Sequence, residues 1–337
     1  MAYYTGVATS LNDILLALQS AAQNTGWSLS GDILHKDDLF VRAHIVTGTI
    51  EGIVLQGGIG IDAGALIDPS PVRARFGRPK TTDVPWTWPS RYFIHAHENP
   101  DEIYLIMNYQ VDYYTWCAFG QSDQPGLNGT GLWLTGANGY NNSSSNGNPD
   151  VRGSYVISPE DGGSSLGWNN DYPSGGPFWH TGGKDSSGSS GHELRMRDTI
   201  HSNLNDYPSN WMGWSPAGSI GSGQWVNKLN AVQPAAPHIK RLPSLWNQEG
   251  ILLPIQAYCW RSDAKCSLVL EMRHARYTRI DNYEPEQIIS IGSDRWKIYP
   301  FIRKYLDERD GPRNGNLLQV TGSHTGTMGW AIRYDGS

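Results

Sequence analysis

The spacing of apolar positions predicts one helix followed by many strands. Leu11, Ile14, Leu15, Leu18 and Ala22 fall at i, i+3, i+4, i+7 and i+11, one stripe along a helix. Ser10 stands at its N-cap with Asp13 three residues on, and Gly26 offers a left-handed stop behind which Trp27 can pack. Beyond it the period falls to two. Leu39–Val46 and Ile50–Leu55 read as strands of a meander. From Ile103 to Thr115, Ile103, Leu105, Met107, Tyr109, Val111 and Tyr113 share one face, with Asn108, Gln110 and Asp112 on the other. That alternation predicts one long strand in a sheet with a single buried side. Ile251–Trp260, Cys266–Met272, Arg295–Arg303 and Met328–Tyr334 predict a second group of strands.

Between about Gly120 and Gly191 the pattern gives way to Gly, Ser, Asn and Asp, including 141–147 and 184–191. Trp133, Tyr140, Tyr155, Trp168, Tyr172, Phe178 and Trp179 punctuate the stretch, which predicts long loops anchored by aromatic rings. The Gly57–Gly60 run has no βαβ context and reads as a turn or bulge. The expected fold is α+β and mostly β, with antiparallel, sandwich-like sheets, an N-terminal amphipathic helix and long Gly/Ser/Asn-rich loops. Three regions are expected: a helix-plus-sheet region over 1–120, a loop-rich aromatic region over 121–250 and a C-terminal β region over 251–337. The first and last are able to share one core.

Composition sharpens this picture. Of 337 residues, 17% are charged, against 39 Gly, 20 Pro, 14 Trp and 17 Tyr, a balance suited to strands and interfaces more than to solvated helix faces. A net charge of −6 supplies no basic surface for nucleic acid. The sequence shows no signal-peptide-like run and no membrane-length apolar stretch, so folding in a cytoplasm without membrane insertion is expected. Cys117, Cys259 and Cys266 lack zinc-site spacing and are expected as buried thiols.

Candidate chemistry centres on His95-Ala-His97-Glu98-Asn-Pro-Asp101-Glu102. Two histidines at i and i+2 of a strand face the same way, and a nearby carboxylate could complete a cupin-like metal site. The matching downstream half is missing, because His180, His192 and His201 lie in loop sequence. Histidines packed at a strand entrance, with no metal or cofactor, are the expectation. A glycan site would need paired carboxylates or exposed rings. Asp101, Glu102, Glu160, Asp161 and Asp171 show no pairing and read as loop acids. The signatures of an acyl-transfer elbow, a phosphate-binding loop and a zinc protease are absent, and no catalytic residue is assigned.

Several segments together resemble a family of uncharacterised structural proteins encoded in the tail modules of tailed bacteriophages. They are Met1–Gly6, Asn99–Tyr104, Ala118–Gly120, Trp296–Lys304 and His324–Tyr334. The resemblance implies a non-enzymatic virion subunit at the tail tip or baseplate, assembled in the host cytoplasm with other tail or baseplate proteins. A symmetric homo-oligomer, trimer or hexamer, is expected. Trp168, Trp179, Trp211 and Trp214 are the expected interface residues. A host-surface glycan-binding module is the alternative, with a neck or capsid position less favoured.

Overall fold

The computed structural model describes residues 1–47, 51–67, 69, 73–77, 85–111, 113–123, 131–136, 138–140, 179–184, 190–194, 252–261, 265–280, 283–300 and 328–336. The chain opens with strand β1 (Ala2–Ala8) and helix α1 (Leu11–Gln23). Next come β2 (Ser28–Ser30), β3 (Ile33–Lys36), β4 (Leu39–Val46), β5 (Gly52–Gly58), β6 (Gly60–Asp62), β7 (Ala65–Ile67) and β8 (Arg73–Gly77). The central part holds β9 (Ser90–His97), β10 (Glu102–Gln110), β11 (Tyr113–Gln121), β12 (Leu132–Gly136) and β13 (Asn138–Tyr140). After β14 (Trp179–Lys184) and β15 (Ser190–Leu194), the chain closes with β16 (Leu253–Arg261), β17 (Lys265–Arg279), β18 (Ile288–Ile291), β19 (Asp294–Pro300) and β20 (Met328–Arg333).

The fold is α+β and mostly β, with antiparallel sheets and one helix near the N-terminus, as the periodicity predicts. A central sheet runs β1-β9-β10-β11-β12, a helix-side sheet β13-β8-β5-β4-β3-β2, and a C-terminal sheet β16-β17-β20-β19-β18. Strands β6 and β7, and β14 and β15, form separate hairpins. Among the described residues no helix is long and apolar enough to cross a membrane.

Helix α1 starts as expected but with a shifted cap. Ser10 Oγ accepts from the Asp13 amide, while the Asp13 carboxylate reaches one residue further back, to Thr9 N (2.8 Å) and Thr9 Oγ1 (2.7 Å). At the other end Gly26 adopts φ +88° and the Trp27 amide donates to Ala22 O, a left-handed closure open to glycine. Trp27 then packs edge-on against Phe119. The stripe Ile14, Leu18, Ala21 and Ala22 is buried in one core with Val41 and Leu55 of the helix-side sheet and Ile94 and Leu105 of the central sheet. Each Ile, Leu or Val among them contributes roughly 1.5–3 kcal/mol by leaving water. Thr115 Oγ1 ties those sheets, accepting from Gly77 N and donating to Gly77 O.

Two expectations are corrected. The 103–115 stretch is a hairpin buried on both faces, not one strand with a solvent side. Its chain reverses after Gln110, where Asn108 Nδ2 donates to the carbonyls of Gln110 and Tyr113, and Val111 is left 83% exposed. The second face, bearing Tyr104 and Ile106, is covered because Trp330 of the C-terminal sheet packs there. Gly57 and Gly58 end strand β5 and Gly60 opens β6, with a bend confined to Ile59, and a Cβ on Gly58 would come within 2.6 Å of Leu66. Within region 121–250 the described residues form strands β12 to β15, and β12 is buried throughout.

Candidate functional site

Alternation along the central sheet sorts its residues into two faces. One meets the helix core, while the other carries Tyr3, Phe93, His95, His97, Glu102, Tyr104, Trp116 and Trp133, with His95 opposite Tyr3 and Tyr104, and His97 opposite Glu102. The C-terminal sheet answers with Tyr299 and Trp330, which are direct ladder partners. Trp330 packs edge-on against Trp116 (4.5 Å between centroids) and Tyr104 (6.0 Å), so the two sheets meet through rings.

Polar groups thread this aromatic layer. His95 Nε2 lies 2.9 Å from Tyr299 Oη, and Lys297 Nζ donates to Tyr3 Oη across the same interface. The Lys297 ammonium stands over the rings of Tyr3, Phe93 and Tyr334 at 4.9–5.5 Å. Nearer the edge, Arg91 makes a two-pronged ion pair with Glu286.

Glu102 is the centre of the joint. In the β16–β17 ladder Pro254 faces Arg276 and Ile255 faces Met272, so Arg273, His274 and Ala275 have no counterpart on β16. Such a bulge frees backbone groups that must find partners when buried. Glu102 Oε1 accepts from Arg273 N (2.8 Å), and Oε2 accepts from His274 N (2.9 Å) and Tyr104 Oη (2.7 Å). Arg276 Nη1 donates to the carbonyls of Met272, Arg273 and Ala275. The bulge is thus held from both sides, its donors by a carboxylate of the central sheet and its acceptors by its own arginine.

The bulge also delivers His274. Its ring stacks on His97 with centroids 4.2 Å apart and planes 6° from parallel, and His97 lies parallel to His95 at 6.4 Å. Burial holds these imidazoles neutral: it pushes His95 down to about 3 and His274 to about 4, and His97 lies well below the usual range. Burial pushes the Glu102 carboxyl up to about 7, and the Tyr104 and Tyr299 hydroxyls well above their ordinary value.

This arrangement does not fit a cupin-like metal centre. Imidazole lone pairs lie in the ring plane, so face-to-face rings cannot converge on one ion, and the Glu102 oxygens are committed to protein donors. Among the described residues no three His, Cys, Asp or Glu side chains are placed to hold a metal. Nor is the cluster open to a substrate, since His95 and Glu102 are 0% exposed. Of the other candidates, Glu98 is exposed and Asp101 pairs with Lys36 at 2.7 Å. His180 and His192 lie on β14 and β15, as does Trp179 opposite Leu194. His201, Glu160, Asp161, Asp171, Trp168, Trp211 and Trp214 lie outside the described residues. Cys117 is buried.

His274, Tyr299, Tyr3 and the bulge were not singled out by the sequence patterns. A signal existed in Met272-Arg-His-Ala-Arg276, where charged residues interrupt an apolar strand. The sequence matches no protein-family model and no curated protein.

Proposed function

We propose that this chain is a non-catalytic structural subunit of a tailed-bacteriophage virion, carried in the tail or baseplate and built into a symmetric homo-oligomer. One observation carries the reading: the side chains with most chemical potential, Glu102 and the three histidines, are spent on joining two sheets and are shut away from solutes. The described parts of the segments that resemble phage tail-module proteins support it, because they converge on that joint. Tyr3 comes from the first, Glu102 and Tyr104 from the second, Ala118 from the third, Tyr299 from the fourth, and Trp330 and Tyr334 from the fifth.

Quantitative mass spectrometry of purified particles tests the proposal. Peptides of this chain are expected at a fixed copy number that matches a trimeric or hexameric ring. Particles that lack the chain, or carry it in variable trace amounts, would overturn it.

A further inference from the structure

We infer that the joint between the central and C-terminal sheets is an acid-operated latch, opened by protonation of the stacked His95, His97 and His274 rings. The geometry carries this. Two of the three rings stand on β9 and the third on β17, so charge on them repels one sheet from the other at 4.2 Å. His97 Nε2, His95 Nδ1 and both nitrogens of His274 are buried without a hydrogen-bond partner in the closed joint. The carbonyls of Arg333 and Pro100 lie near His95 and His274 and favour their charged forms, without reaching hydrogen-bond geometry.

The charged surroundings are mostly cationic. Lys297 faces His95, Arg333 and the N-terminal amine face His97, and Arg333 and Arg276 face His274, with Asp335 the opposing anion. Tyr3, Tyr104, Tyr299 and Tyr334 surround the rings. Glu102, opposite His97, is the one carboxylate on that face of β9 and β10. With its carboxyl up at about 7, it takes its own proton first and leaves no counter-charge when the imidazoles need one.

The signs oppose and the histidines prevail. Their depressed values mean a contribution to stability that is full above the ordinary 6.5 and is lost as pH falls toward their folded values. The raised value of Glu102 works the other way, its contribution being full below 4.5 and lost as pH rises through 7. Near pH 5.5 opening takes up about three protons on imidazoles and releases about one from Glu102. The equilibrium therefore moves about a hundredfold per pH unit.

The Trp116–Trp330 pair gives a direct readout, because two indoles at 4.5 Å and 85° couple as an exciton in far-ultraviolet circular dichroism. The full chain is titrated from pH 8 to 4, with Trp330→Phe identifying the couplet. The couplet is expected to disappear cooperatively below pH 6.5. His97→Phe with His274→Phe, which keeps rings in the stack, leaves about one proton taken up against the one Glu102 releases, so the couplet is expected to persist down to pH 4. If the double variant lacks the couplet at pH 8, His274→Gln takes its place, with a lowered midpoint expected. A wild-type couplet that survives unchanged to pH 4, or a midpoint that these substitutions do not move, overturns the latch. The result is independent of whether the chain belongs to a virion.

Discussion

Replacing Glu102 with alanine removes the acceptor on which the Arg273 amide, the His274 amide and the Tyr104 hydroxyl all depend. Hydrogen bonds to a charged group contribute about 1.5–3 kcal/mol each, so three come to roughly 5–9 kcal/mol. Against this stands the burial of the carboxylate. Its shift from 4.5 to about 7 corresponds to a cost on the order of 3 kcal/mol once the group is fully ionised. The net loss for Glu102→Ala at pH 8 is therefore about 2–6 kcal/mol, a large share of the stability of an ordinary domain. The loss is greater at pH 6, by about 1 kcal/mol, because there the wild-type carboxyl is protonated and its ionisation cost falls away. Urea unfolding followed by tryptophan fluorescence at both pH values measures it. A loss below about 1 kcal/mol, or a smaller loss at pH 6 than at pH 8, would refute the reasoning.

Other consequences are equally direct. Ser10→Ala removes the α1 cap and is expected to cost about 1 kcal/mol in the same assay; an unchanged midpoint would show that the cap contributes nothing. A Cβ at Gly120 would lie 2.4 Å from Asp101 O and 2.9 Å from the Trp133 ring, so Gly120→Ala is expected to reduce soluble folded yield sharply, as read by size-exclusion chromatography. Burial pushes the Cys117 thiol well up, and the folded chain is expected to leave it unalkylated by iodoacetamide at pH 8 while urea exposes it; peptide mapping showing rapid alkylation without urea would contradict its placement.

How much of this was legible depends on how local each signal is. The helix was readable because its cap, stripe and stop all lie within 10–27, and the C-terminal strands because their apolar runs are continuous. The β10–β11 hairpin was hidden because its turn keeps the alternation in phase: Val111 and Tyr113 continue the apolar series across a reversal set by Asn108. His95 and His97 were readable as a same-face pair, since period two alone places them. Their partners were not, because His274 lies 177 residues from His97 and reaches it only through a bulge whose energetics depend on Glu102. Tyr3 and Tyr334 meet for the same non-local reason, as the two ends of the chain close over one layer.

The proposal of a structural virion subunit is met most directly by locating this polypeptide in an intact particle. A three-dimensional map of purified phage, with the folded chain fitted to it, is expected to place symmetric copies at the distal end of the tail, with their inter-sheet joints intact at neutral pH. Copies at the neck or shell would contradict the tail placement, and particles without the chain would contradict the structural role itself.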